Sequence, residues 1–271
     1  MSERFEMDFS KYTKIAFERR GRILTCILND PDNLNSVSGP LHTELADMWV
    51  EVAKDSLSDV IVLTGQGRVF SAGGNFNHIE NVRKNHTFDQ EMRTGKRMVL
   101  GALDCDKPVI CKLNGDAVGL GATVALFCDI IIAADTARLS DPHVNIGLVA
   151  GDGGAIIWPQ LMGFARAKHY LFTGDRMTAA EAVNFGLINF AYPADELDAK
   201  VEAYADRLAS GATNAIRWTK ILTNLPLKEV ANKLIDPCFA LEGMSMDDPD
   251  HALALDAIKS RQKPDFGRHR P

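Results

Sequence analysis

The sequence predicts an α/β fold that gives way, in its last quarter, to helices alone. Three observations carry that reading. Short apolar runs at 60–63, 109–113 and 130–133 have the character of buried strands and alternate with segments of helical spacing. Two of these runs lead into glycine turns, Gly65-Gln-Gly-Arg-Val-Phe-Ser-Ala-Gly-Gly-Asn-Phe76 and Asn114-Gly-Asp-Ala-Val-Gly-Leu-Gly121. From Asp195 onward the strand patterns cease.

Taken in order, alternation at 13–18 and 22–29 predicts two strands paired around Arg19-Arg-Gly21. Residues 40–53 then place Leu41, Leu45, Met48, Trp49 and Val52 on one helical face, so the chain opens strand, strand, helix. A strand at 60–63 comes next, then a helix over about 88–103, a strand at 109–113, a helix of small apolar residues near 121–127 and a strand at 130–133. The tail predicts helices at 195–210, 212–224, 227–246 and 249–261. Asp195 and the Asp248-Pro249 pair supply N-terminal signals, and Gly211 and Pro226 punctuate. No linker interrupts the pattern before about residue 195, which divides the chain into 1–195 and 196–271.

Composition narrows the function classes. The chain has 271 residues, 46% hydrophobic and 24% charged, as ordinary soluble globular proteins do. A net charge of -6 argues against nucleic acid or an anionic membrane as partner, since both require a basic face. The five cysteines are odd in number and lack C-x-x-C spacing, the usage of buried thiols in a reducing compartment, which predicts a cytoplasmic protein. No apolar run approaches the length of a membrane span, and the N-terminus lacks a signal-peptide core. No histidine falls in an H-x-x-x-H or His/Cys cluster, so no metal is expected.

The glycine turns carry the chemistry. A strand that ends in such a turn points free backbone N–H groups at whatever lies in front of it. Either turn alone describes a plain turn or a phosphate cradle equally well; two that converge on one carbonyl oxygen form an oxyanion hole, in which one donor is worth about two to three orders of magnitude in rate. A second candidate is Asp141-Pro-His-Val-Asn-Ile-Gly-Leu-Val-Ala-Gly-Asp-Gly-Gly154, with His143 and Asp152 nine positions apart. A histidine oriented by a carboxylate draws a proton from water near neutral pH. The competing reading makes His143 a packing residue and Asp152 the cap of the helix through Ile156, Ile157 and Leu161.

Along nearly its whole length the chain resembles the crotonase, or enoyl-CoA hydratase/isomerase, superfamily. Phe70-Ser-Ala-Gly-Gly-Asn-Phe76 and Asn114-Gly-Asp-Ala-Val-Gly-Leu-Gly121 with Cys128-Asp129 are similar to the family's two oxyanion loops. The segment from Phe172 to Asn189 resembles the helix signature after the site, and Ser260-Arg-Gln-Lys-Pro-Asp-Phe266 the C-terminal end. The resemblance implies a crotonase-like spiral of β-β-α repeats with a C-terminal helical region that builds trimers, often paired into hexamers. It implies that the Gly74 and Leu120 N–H groups form the oxyanion hole, and that the usual substrate is an acyl-CoA thioester.

The pattern departs where proton transfer is done. The two glutamates of the family's hydratases are replaced by Thr123 and His143. Asp152 matches a functional aspartate of dienoyl-CoA isomerase and 4-chlorobenzoyl-CoA dehalogenase. The run Gly151-Asp-Gly-Gly-Ala-Ile-Ile-Trp-Pro159 resembles 6-oxocamphor hydrolase and similar β-diketone hydrolases, which pair a histidine and an aspartate and add a glutamate; Glu242 is the matching candidate, although by sequence it sits in an exposed helical stretch. At Leu120 those hydrolases carry a polar side chain. Asp30 and Asp32 stand where the family commonly has basic residues beside the nucleotide, while Arg68, Lys263 and Phe266, the last two from a neighbouring subunit, are candidates to hold CoA. The expectation is hydrolytic carbon–carbon cleavage of a β-diketone-like small molecule. The alternatives are an enoyl-CoA hydratase/isomerase, with CoA as part of the substrate and no separate cofactor, and a catalytically silent scaffold of the same fold.

Overall fold

Residues 5–267 are described in a computed structural model, so the outermost ends of the two predicted units, 1–4 and 268–271, lie outside the described residues. The chain opens on an antiparallel pair, β1 (Ile15–Arg20) and β2 (Ile23–Leu28), in which Phe17 faces Cys26. Gly21, at φ +58°, turns the chain between them. α1 (Pro40–Lys54) buries the five residues of its predicted face and His42 beside them. β3 (Val60–Gly65) is buried at every position because it lies inside the sheet, flanked on both sides by strands.

α2 (Phe76–Asn85) starts where the Asn75 side chain accepts from the N–H groups of Asn77 and His78, and α3 (Phe88–Asp104) comes directly after it. β4 (Val109–Leu113) passes through the short β5 (Ala117–Val118) into α4 (Leu120–Leu126), which is buried at every position after Leu120. β6 (Ile130–Ala134), β7 (Arg138–Ser140), α5 (Gly154–Met162), α6 (Phe164–Thr173), β8 (Met177–Thr178), α7 (Ala179–Asn184) and β9 (Phe190–Tyr192) complete the α/β part. One sheet runs β1-β2-β3-β4-β6-β9, parallel from β2 onward; the second runs β5-β7-β8. The short strands β5, β7, β8 and β9 escape sequence reading because two or three residues hold no periodicity.

The tail is helical, as expected: α8 (Leu197–Ala209), α9 (Thr213–Met246) and α10 (Pro249–Lys259). α8 lies across β2, β3, β4 and β6 and buries Leu197, Val201 and Ala205, so it covers the sheet of its own chain. Asp248 caps α10 through Asp250 N–H, whereas Asp195 does not cap α8; Glu196 holds that place without a side-chain bond. The break expected at Pro226 is absent. α9 continues for 34 residues with Pro226 and Pro237 inside it. An interior proline removes one N–H and costs about 3 kcal/mol or more. Here Pro226 is exposed and Leu222, four residues back, is exposed too, so the carbonyl left without a partner is open to water. Beyond it, Ala231, Ile235 and Phe239 are buried as α9 docks on α3 and α5, and that packing holds the helix together. The approach is close: a Cβ on Gly95 of α3 would lie 2.6 Å from Phe239 Cζ.

Candidate active site

The two glycine loops are knitted to each other. Ser71 bridges Ala117, and Val118 N–H donates to Ser71 O at 3.0 Å. Gly73, at φ +79°, fits because it has no side chain; a Cβ there would lie 2.4 Å from Val118 O and 3.5 Å from Leu120 N. A Cβ on Gly121 would strike Ser71 Oγ at 2.6 Å. This contact brings Gly74 and Leu120 to the wall of one cavity of about 360 Å³. Leu120 is the first residue of α4, so its N–H has no acceptor within the helix, and among the described residues neither it nor Gly74 N–H donates a hydrogen bond.

His143 reaches the same cavity from a single 3-10 turn, His143–Ile146, after β7. Gly119 N–H donates to Ser140 O at 2.9 Å, which ties the second loop to β7. A Cβ on Gly119 would then lie only 3.5 Å from His143 Cε1. The ring is clasped between two carboxylates: Nδ1 meets Asp141 Oδ1 at 2.5 Å, and Nε2 meets Asp152 Oδ2 at 3.3 Å. Asp152 is held in turn by Thr123, whose hydroxyl donates to Oδ1 at 3.2 Å, and by Gly154 N–H at 3.4 Å. Thr123 therefore supports the Asp152 carboxylate.

The glycines around Asp152 have separate tasks. A Cβ on Gly151 would meet Cys238 O at 2.4 Å and Glu242 Oε2 at 2.9 Å, so its absence admits α9 to the site. Gly153 adopts φ +122° beside Thr123, and a Cβ on Gly154 would lie 2.1 Å from Asp141 Oδ2. Through Gly151, Glu242 arrives at the cavity from 91 positions away, only 6% exposed, its Oε2 buried and unpartnered. Glu242 itself is inward-facing, although its neighbours Leu241 and Met244 are exposed.

Electrostatics divide these groups into acids and bases. Burial alone would lower the His143 pKa, but Asp141 and Asp152 outweigh it and hold the ring well above its ordinary 6.5. Burial works against ionised Asp152, yet the neighbouring imidazole and its hydrogen bonds keep its carboxyl below 3.8. Glu242 has no such partner: burial first, then the charge of Asp152, holds it well above 4.5. Asp141, His143 and Asp152 place one ligand atom each within 4.8 Å of one another.

The remaining wall is largely apolar, with Phe76, Ile79, Phe88, Phe239, Met246 and Ile258. His42, His78 and Glu91 also line it. None of these three, nor Asp141, was legible as a site residue from spacing, although the Asp141-Pro-His143 string is the local signal for the first carboxylate. The structure does not bring every candidate here. Arg68 and Lys263 are exposed, and neither they nor Phe266 are among the cavity's lining residues. Asp30 pairs with Lys14 at 3.1 Å, which offsets its charge, while Asp32 is exposed. Trp158 is fully buried in the core. Among the described residues no helix is long and apolar enough to cross a membrane.

The sequence profile of the enoyl-CoA hydratase/isomerase family matches residues 18–266. Crotonyl-CoA hydratase of Syntrophomonas wolfei is 28% identical over 94% of this chain and 98% of its own length. An enoyl-CoA hydratase/isomerase from Mycobacterium paratuberculosis superposes with a TM-score of 0.88 at 34% identity, covering 92% of this chain and 99% of its own. A β-diketone hydrolase from the cyanobacterium Anabaena, bound to (S)-3-oxocyclohexyl acetic acid, gives a TM-score of 0.82 at 30% identity over 88% and 96% of the two chains. The chain belongs to the enoyl-CoA hydratase/isomerase family. It is an enzyme of the crotonase superfamily, with the α/β spiral and helical C-terminal region of that fold.

Proposed function

We propose that this enzyme hydrolyses a carbon–carbon bond of a β-diketone-like substrate. The observation that carries the reading is the arrangement of His143, Asp152 and a buried Glu242, whose pKa is held well above 4.5, at one cavity with the Gly74 and Leu120 amides. The Gly74 and Leu120 N–H groups receive one carbonyl oxygen. His143 Nε2 and Asp152 Oδ2, 3.3 Å apart, must part for a water to enter between them, donating one hydrogen to Nε2 and the other to Asp152. Neutral His143 removes a proton as the water oxygen bonds to the carbonyl carbon. Collapse of the tetrahedral intermediate breaks the bond to the carbon between the carbonyls and expels an enolate, whose carbon takes the Glu242 proton. The products are a carboxylic acid and a ketone. The largely apolar cavity of about 360 Å³ suits a small cyclic diketone.

A second reading comes from the relatives' names: hydration or isomerisation of an enoyl-CoA, with His143 moving the proton. Purified protein assayed on cyclic β-diketones and on crotonyl-CoA separates the two. Diketone hydrolysis that is lost in His143→Ala supports carbon–carbon cleavage; turnover of crotonyl-CoA with none of the diketones overturns it. A screen with no turnover of either class favours the silent scaffold. The assembly we propose is a trimer or a hexamer, supported by exposed Trp218, Leu222, Leu241 and Met244 on α9, and sizing in solution tests it.

A further inference from the structure

A second set of proton-carrying side chains lines the same cavity. Glu91, in the first turn of α3, bridges two imidazoles: its Oε2 lies 3.1 Å from His42 Nδ1 of α1, and its Oε1 lies 3.1 Å from His78 Nε2 of α2. Access to solvent rises along the set. The side chains are 8%, 28% and 29% exposed for His42, Glu91 and His78. One carboxylate joining imidazoles from two other helices, one enclosed and one open, is an expensive arrangement to keep for packing alone.

The reaction proposed above creates a need for it. A diketone and water become a ketone and a carboxylate with release of one proton per turnover, at a site in which Asp152 and Glu242 are each 6% exposed. We propose that His42, Glu91 and His78 form the route by which that proton reaches solvent. The inference rests on the β-diketone reading, because hydration of an enoyl-CoA releases no proton.

The charged groups that face His42 are Glu91, His78 and Asp152; burial, with His78 acting in the same direction, outweighs Glu91 and Asp152 and holds the ring below its ordinary 6.5. With Nδ1–H donated to Glu91, Nε2 keeps its lone pair. His42 Nε2 accepts the proton of the ionising product acid, and Nδ1 gives its own proton to Glu91 Oε2. Glu91, now a neutral acid, turns its carboxyl and gives that proton to His78 Nε2, and His78 Nδ1 releases one to solvent, so one proton enters the set and one leaves it. Exchange of ring protons resets the tautomers once the product has left.

Glu91→Gln tests the route, because it keeps the size of the bridge but cannot take up a proton and pass it on. Wild type is first assayed on cyclic diketones in weak buffer with a pH indicator, where one proton per turnover is expected. In Glu91→Gln, kcat should fall about tenfold or more in weak buffer with KM unchanged, and millimolar imidazole should restore it by carrying the proton instead. His78→Gln, at the exposed end, should behave alike and decides the matter where Glu91→Gln fails to fold. Wild-type kcat in both variants, or a loss that imidazole does not restore, overturns the route while the β-diketone reading stands. Absence of diketone hydrolysis in wild type overturns that reading and the route with it.

Discussion

His143 Nδ1 lies 2.5 Å from Asp141 Oδ1, two residues back along the chain, and this pair decides which way the imidazole faces. Asp152 holds the opposite, Nε2 edge of the ring, where a reacting water would enter. Asp141 is itself fully buried after β7, with Oδ2 packed toward Gly154. Asp141→Asn should hold the wrong tautomer and lower kcat by about two to four orders of magnitude with little change in melting temperature. Steady-state kinetics on a diketone substrate check it; near-normal kcat would remove Asp141 from the mechanism.

The pH profile is set by the same clasp. His143 is a base only when neutral, and its pKa is held well above 6.5 by Asp141 and Asp152 against burial. The kcat/KM profile should therefore rise with pH through an apparent pKa above 6.5, belonging to the coupled group rather than to the ring alone. Asp141→Asn removes one of the two charges and should move that limb to lower pH. A limb at or below 6.5 in wild type would contradict the electrostatics.

Glu242 makes a prediction about stability. Its folded carboxyl titrates well above 4.5, so between that value and the raised one the folded state binds a proton that the unfolded state has lost. The contribution is fully present below pH 4.5 and is lost as pH rises through the folded pKa. Glu242→Gln has no charge to desolvate. Melts from about pH 4 to about pH 9 should show it gaining stability relative to wild type toward the alkaline end, while hydrolysis falls. Parallel curves for the two proteins would show that Glu242 ionises freely.

Gly151 is the point where the C-terminal region meets the loop after β7. Gly151→Ala would place a Cβ 2.4 Å from the backbone oxygen of Cys238, which cannot swing away as a side chain would. Overpacking of this kind costs about 1–3 kcal/mol. Because the same Cβ presses on Glu242, kcat should fall as well. Chemical denaturation and kinetics measured on one sample check both; unchanged values would mean that α9 shifts without cost.

Much of the fold and the site was legible locally. The apolar face of α1, the buried run of β3, the glycine turns at 73–74 and 119–121 and the His143–Asp152 spacing are all short-range patterns, and each corresponds to an element or a cavity residue. Glu242 shows where such reading ends. Its neighbours in sequence, Leu241 and Met244 among them, are exposed, and nothing within a few residues reveals that its own side chain points inward. Pro226 is the converse case, a local stop signal overridden because α9 is docked along its second half.

The sequence by itself determined the strand and helix order, the loops able to present free amides, and the imidazole–carboxylate pair, because periodicity and backbone permissiveness are properties of adjacent residues. Only the tertiary structure decided that Asp141 lies against the ring, that Glu242 is buried against Gly151 with its pKa raised, and that Glu91 joins His42 to His78. Those relationships depend on burial and on packing between separate elements, which set the local dielectric and the charges within it.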